Sequence, residues 1–160
     1  MGRGTYWQGC EIFFFGSEYI LTSAMFDIVL VEDSPEDARL IIRALNQIQA
    51  AIKIHHLEDG QEAIDYLFDP SSPSPNLIIM DLKMPRVDGL EVLKAIKADD
   101  KKKVIPVVML TSSKEEKDIV NSYKLGVNAY IVKPVDFREF SNVVSSLGGF
   151  WLSVNQSPGV

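Results

Sequence analysis

A chain of 160 residues, 46% hydrophobic and 24% charged, has the size of one domain and enough apolar material for a sizeable core. A formal net charge of −6 argues against a nucleic-acid partner held through phosphate contacts. The single cysteine, Cys10, excludes an intrachain disulfide and a cysteine-rich metal site, and it suits a reducing compartment such as the cytoplasm.

The first 24 residues differ from the rest. Ile12 to Phe15 form a short apolar run broken by Gly16, Ser17 and Glu18. It falls far short of the roughly 20 apolar residues a membrane span needs, and Glu11 sits badly for a signal peptide. Two readings stand: an addition upstream of a true start at Met25, or an N-terminal arm that packs on the domain or a partner.

From Met25 strand-like and helix-like segments alternate. Phe26–Val31 is short, apolar and β-branched, which predicts a buried strand. Ser34 and Pro35 suit an N-cap and a first helical position, with Asp37 in the first turn. Leu40, Ile41, Ala44, Leu45 and Ile48 then recur at helical spacing. A second strand is expected over Ile52–Leu57, and Asp59 with Glu62 is shaped like a capping box opening a helix to about Phe68. The SSPSP stretch, Ser71 to Pro75, reads as a loop. Leu77–Met80 is the third expected strand, Leu90–Ala98 the third helix and Ile105–Leu110 the fourth strand. The lysines at 101–103 read as a solvated loop. Ser113 with Glu116 predicts a second capping box and a helix to about Leu125, stopped by Gly126. Asn128–Val132 is the fifth strand, and Val135 to about Leu147 the last helix.

Five short apolar strands alternating with five helices predict an α/β doubly wound sandwich on a parallel sheet. In such sheets the ligand site lies beyond the carboxyl ends of the strands. Those ends carry Glu32 and Asp33 after the first strand, Asp81 after the third, Thr111 after the fourth and Lys133–Pro134 after the fifth. Each has a bland explanation alone: a cap, a turn residue, a surface charge. Their gathering at one rim is harder to dismiss. Carboxylates at about 4 Å repel by about 4 kcal/mol per pair at an effective dielectric near 20. A hard cation such as Mg²⁺ with Lys133 would offset that. Such a site suits a phosphoryl group held against a carboxylate, with Asp81 as the nucleophile.

VEDS (31–34), MDLKMPRVDG (80–89), MLTS (109–112) and AYIVKPVD (129–136) occur in this order. With them the chain resembles the receiver domain of two-component response regulators over residues 26 to about 147. The resemblance implies a flavodoxin-like (βα)5 fold with sheet order 2-1-3-4-5. It would place a receiver at 25–149, an N-terminal extension at 1–24 and a tail at 150–160. It further implies that Asp81 accepts the phosphoryl group from a histidine kinase. Mg²⁺ would be bound by Asp33, by Asp81, by the Lys83 carbonyl and through water by Glu32. Thr111 and Lys133 would contact phosphoryl oxygens, Tyr130 would be the rotating switch aromatic, and Lys133–Pro134 would be cis. SYKLGVNAYIVKPVDFREF with Phe150–Trp151 is similar to small regulators paired with bacterial phytochromes. Lys83 would screen the acyl phosphate and slow its hydrolysis.

The expected reporting face is the fourth helix, fifth strand and fifth helix, with Phe137, Phe140, Val144, Leu147, Phe150 and Trp151 on it or in the core behind it. Phe150 and Trp151 suggest a homodimer contact. His55 and His56 on the second strand read as structural. Among rivals, an aspartyl phosphatase would need a second acid where Lys83 stands, and a flavin module would be repelled by Glu32–Asp33. A shuttle in a multi-step phosphorelay remains an alternative, as does a receiver-like module that only binds. The latter would have lost Asp81, Thr111 or Lys133. The chain is thus expected to be a signalling protein rather than an enzyme, with no nucleic-acid or membrane partner.

Overall fold

The computed structural model describes residues 10–15, 18–23, 25–48 and 51–156; within 10–23 it describes the backbone only. Upstream, β1 (Cys10–Phe15) and β2 (Glu18–Ser23) pair antiparallel as a hairpin. Residues 1–9, 16–17 and 24 lie outside the described residues, so the choice between an upstream addition and an arm falls largely there.

The remaining strands are β3 (Phe26–Val31), β4 (Ile52–Leu57), β5 (Leu77–Met80), β6 (Val107–Thr111) and β7 (Ala129–Val132). They form one parallel sheet in the order β4-β3-β5-β6-β7. Counted within the sheet this is 2-1-3-4-5, as the resemblance implied. Parallel neighbours require crossovers. These are α1 (Pro35–Asn46), α2 (Gly60–Phe68), α3 (Gly89–Ala98) and α4 (Glu116–Lys124), with α5 (Phe137–Gly149) after the last strand.

Strand alternation divides the core in two. Val29, Val31, Ile78, Met80, Val107 and Met109 face one side, against Ala63, Leu67, Val92, Leu93 and Ile96 of α2 and α3. Ile28, Leu30, Leu77, Ile79, Val108 and Leu110 face the other, against Ile41, Leu45, Phe140, Val144 and Leu147 of α1 and α5. The three central strands are therefore apolar on both faces, which fixes their register and points their ends at one rim.

The caps explain where helices begin. Ser34 accepts from the Asp37 amide, with Pro35 at the first helical position. Asp59 accepts from the amides of Gln61 and Glu62, while Glu62 reaches the Glu58 amide instead of returning to Asp59. The capping box expected at Ser113 and Glu116 does not form. Helix α4 starts only at Glu116 with no side-chain cap; the Ser113 Oγ accepts from the Glu115 amide at 3.4 Å, ahead of the helix, and donates to Asp118. Gly126 ends that region with φ +95, in the left-handed region that favours glycine. The last helix starts two residues later than expected, capped by Asp136, and continues as a π-helical turn over Phe150–Val154. Strand β6 begins at Val107, beyond Pro106, which has no amide to donate.

Gly89 opens α3 directly under the end of β5. A Cβ there would lie 2.4 Å from the Asp81 carbonyl oxygen and 2.9 Å from the Leu82 Cα. Gly89→Ala is expected to lower the unfolding free energy by about 1–3 kcal/mol, read as a lower urea midpoint. An unchanged midpoint would mean that the loop after Asp81 yields without strain.

Candidate functional site

The rim residues are placed by hydrogen bonds that extend the strand ladders. The Glu32 amide donates to Leu57 O at 3.0 Å, the Asp81 amide to Val31 O at 3.0 Å, and the Lys133 amide to Thr111 O at 2.8 Å. Each residue is therefore fixed on backbone already committed to the sheet. Glu32, Asp33, Asp81, Thr111 and Lys133 stand at the strand ends where the sequence puts them, and the structure brings Glu32, Asp33, Asp81 and Lys133 together.

Lys133 is the centre. Its ammonium donates to Glu32 Oε2 at 2.7 Å, to Asp37 Oδ2 at 2.8 Å and to Asp81 Oδ2 at 3.0 Å. The other oxygen of Asp81, Oδ1, accepts from the amides of Leu82 at 2.5 Å and Lys83 at 3.3 Å. Glu32 Oε1 accepts from the Ser34 amide. Asp81, Glu32 and Lys133 are all buried, whereas Asp33 is exposed. Thr111 is fully buried, and its Oγ1 accepts from the Ser113 amide at 3.3 Å.

Burial pushes the Glu32 carboxyl up to about 7, against the pull of Lys133 and with the help of the Asp81 charge. Burial also works against the charged Lys133, but the hydrogen bonds it donates to Asp37 and Glu32 and the charges of Asp81 and Glu32 outweigh it, and its pKa lies above the ordinary lysine value. These two shifts oppose each other, since a half-protonated Glu32 supports Lys133 less than an ionised one. The 2.7 Å contact favours the ionised carboxylate.

Oxygens of Glu32, Asp33 and Asp81 all lie within 4.8 Å of one another. This is a set of hard oxygen donors with excess negative charge, and it fits a divalent cation. A cation there would favour the ionised form of Glu32 and relieve the repulsion that Lys133 alone leaves.

Behind Thr111 a second chain of contacts runs outward. The Tyr130 hydroxyl donates to Ser113 O at 3.1 Å. The Ser113 hydroxyl donates to Asp118 Oδ2 at 2.6 Å, and Lys83 Nζ reaches the same oxygen at 3.1 Å. On the opposite side, Arg86 holds φ 66, a left-handed conformation uncommon for a non-glycine residue, and pairs with the buried Asp59.

Some expectations need correction. Among the described residues no peptide bond is cis, so Lys133–Pro134 is trans, the intrinsically favoured isomer. That isomer already brings Lys133 Nζ onto all three carboxylates. Lys83 does not lie free beside Asp81; its ammonium is paired with Asp118. His55 and His56 do make structural contacts, to Asp27 Oδ1 at 3.1 Å and to Glu32 O at 2.9 Å. The second of these puts His56 next to the rim rather than away from it.

Asp37 and Asp118 were missed as site residues. The sequence shows Asp37 only as an acid in the first turn of the helix that leaves the Glu32–Asp33 strand end. Asp118 carried no signal, because the sequence pattern pairs Ser113 with Glu116, whereas the Ser113 hydroxyl donates to Asp118.

Comparison with known proteins gives the same site a family. The sequence pattern described as the response regulator receiver domain matches residues 28–145. The response regulator Rcp1 of Synechocystis is 39% identical over 135 residues, covering 82% of this chain and 92% of that protein. The structure of its Mn²⁺-bound form superposes with a TM-score of 0.81, at 38% identity, covering 84% and 99% of the two chains. The phosphorylated cyanobacterial phytochrome response regulator RcpA gives a TM-score of 0.82 at 40% identity, covering 85% and 100%. A protein of Methanothrix harundinacea described as "probable methanogenesis regulatory protein FilR2" is also 39% identical, over 84% of this chain and 88% of that one. The Rcp1 structure is that of a Mn²⁺-bound form, and the acidic cluster of this chain is of a kind that fits a divalent cation. With five strands in receiver order and the motifs at its strand ends, this chain belongs to the response regulator receiver domain family.

Proposed function

We propose that this protein is a phosphoacceptor of a two-component pathway, taking a phosphoryl group from a histidine kinase onto Asp81. The observation that carries the reading is the single ammonium of Lys133 held among three carboxylates beside a fitting cation site. In the reaction an Asp81 carboxylate oxygen forms an O–P bond as the P–N bond to the kinase imidazole breaks, and the leaving nitrogen takes up a proton. Glu32, Asp33, Asp81 and the Lys83 carbonyl would hold Mg²⁺, Glu32 through water. The ion, when bound, would neutralise oxygen charge on the moving phosphoryl group. Lys133 neutralises a further oxygen from the opposite chain segment. Leu82 and Lys83 amides orient the carboxylate, and Thr111 keeps its O–H as a donor for a phosphoryl oxygen. The gain of about −1.5 to −2 charge then biases two packings of the Thr111–Tyr130 region.

The output is docking. Val120 and Tyr123 of α4, Phe137 of α5 and Phe150 after it are exposed large apolar side chains. We assign this face, with β7, to a homodimer. Trp151 packs against the α1/α5 core and meets Phe150 edge-on at 5.2 Å, which makes Phe150 a firm platform. The kinase is proposed to be of phytochrome type, on the likeness to RcpA, and to act with this protein in the cytoplasm. Among the described residues no helix is long and apolar enough to cross a membrane.

Incubation with Mg²⁺ and acetyl phosphate is expected to give a hydroxylamine-labile phosphoryl label on the wild type and none on Asp81→Asn; equal labelling of both would remove Asp81 from its role. Lys133→Met strands buried carboxylates and is expected to cost about 3–5 kcal/mol in EDTA, with part of the loss recovered in Mg²⁺. Thermal denaturation in the two buffers reads both effects, and equal losses would refute the cation site. Phe150→Ser is expected to shift sedimentation equilibrium toward monomer at unchanged thermal stability, and no shift would exclude this face.

A further inference from the structure

The chain of contacts from Lys83 to Tyr130 is not needed to hold a phosphoryl group, and its charges are unusually placed. Asp118 is a buried carboxylate, 4% exposed, in the first turn of α4. One of its oxygens takes both the Ser113 hydroxyl, at 2.6 Å, and the Lys83 ammonium, at 3.1 Å. The hydroxyl first, and the Lys83 charge after it, hold this carboxyl below the usual range despite burial. Ser113 is in turn the acceptor for the Tyr130 hydroxyl. At the other end, the Lys83 amide is bonded to Asp81 Oδ1, so the backbone of Lys83 is anchored at the carboxylate. Its side chain is 58% exposed, free to swing on a four-carbon stem.

We propose that Asp118 is a positioning residue that competes with the phosphoryl group for the Lys83 ammonium, so that phosphorylation of Asp81 is read at the first turn of α4 as loss of the Lys83–Asp118 pair. The inference rests on Asp81 being the phosphoacceptor. A phosphoryl group carries more negative charge than a carboxylate and sits beside the anchored Lys83 backbone. The ammonium that moves to it leaves a buried carboxylate with one donor fewer. That loosens Ser113, and with Ser113 the acceptor that holds Tyr130. Lys83 lying on the phosphoryl oxygens also shields phosphorus from water. The same movement therefore sets the lifetime of the signal and transmits it.

The test follows label decay in Mg²⁺ after acetyl phosphate is removed, for the wild type, Asp118→Asn, Lys83→Ala and the double variant. Amide hydrogen exchange over residues 113–124 is measured with and without the donor. Asp118→Asn is expected to lengthen the lifetime roughly two- to fivefold, the range by which a partly exposed ion pair biases an equilibrium. In the Lys83→Ala background it is expected to change nothing, and Lys83→Ala alone shortens the lifetime. Exchange in α4 should rise on labelling the wild type, and be already raised and insensitive to label in Lys83→Ala. An equal factor for Asp118→Asn in both backgrounds, or α4 exchange indifferent to label, overturns the proposal. If Asp118→Asn does not fold, Lys83→Ala decides alone, since an exposed lysine can be removed without harm to the core; an unchanged lifetime and exchange pattern in it overturns the proposal. A wild type that takes no label at all, by contrast, refutes the phosphoacceptor reading itself.

Discussion

The structure depends on one buried ammonium. Lys133 Nζ has three protons to donate and gives them to Glu32, Asp37 and Asp81, which lie 101, 96 and 52 residues away along the chain. No local segment could hold this cluster together. Three carboxylates against one ammonium leave a net charge of −2 at the rim when all are ionised, and Asp33 adds to it. Such a site is stable enough to fold and incomplete enough to attract a cation. Because all three protons of Nζ are already used, a phosphoryl oxygen can be bound only by displacing a carboxylate. Arrival of such a group would therefore rearrange the rim by donor count alone.

That arrangement is possible because the sheet behind it is rigid. The central strands are packed on both faces, so none can slide without turning its apolar side chains the wrong way. Glu32, Asp81 and Lys133 each follow the last residue of a strand and inherit its position through a ladder hydrogen bond. The Leu82 and Lys83 amides, held by the turn that closes on Gly89, then aim the Asp81 carboxylate. Preorganisation of this kind would leave an accepting Asp81 oxygen little to reorganise during phosphoryl transfer.

Most of this was legible in the sequence, for reasons that also explain what was not. Strand runs such as Leu77–Met80 and caps such as Ser34–Pro35 are local, and each matched the structure because local propensity and global fold agree there. The rim acids were legible because strand periodicity places them and their chemistry is shared. Asp37 looked like a first-turn charge on a helix, and only the crossover shows that the turn faces Lys133. The capping box at Ser113 is absent because the helix begins later, at Glu116, leaving the Ser113 hydroxyl to accept from the Glu115 amide and to donate to Asp118. The isomer of the Lys133–Pro134 bond was carried over from the resemblance, and nothing in the surrounding residues specifies it.

A switch built on this rim must separate its two jobs. Phosphoryl transfer at this rim would need Lys133, Glu32 and Asp81 fixed, and these three are buried. Signalling needs something that moves at low cost, since a population shifts between two packings only when they differ by a few kcal/mol. The Tyr130 hydroxyl is held by one hydrogen bond to a carbonyl, a contact worth about 1 kcal/mol net. Lys83 is exposed, and its pair with Asp118 is worth little by itself. Lys133, Glu32 and Asp81 therefore lie inside, and a chain of weaker contacts runs from Lys83, two residues from Asp81, through Asp118 and Ser113 to Tyr130. Weakness in that chain is what would let a single phosphoryl group reset it.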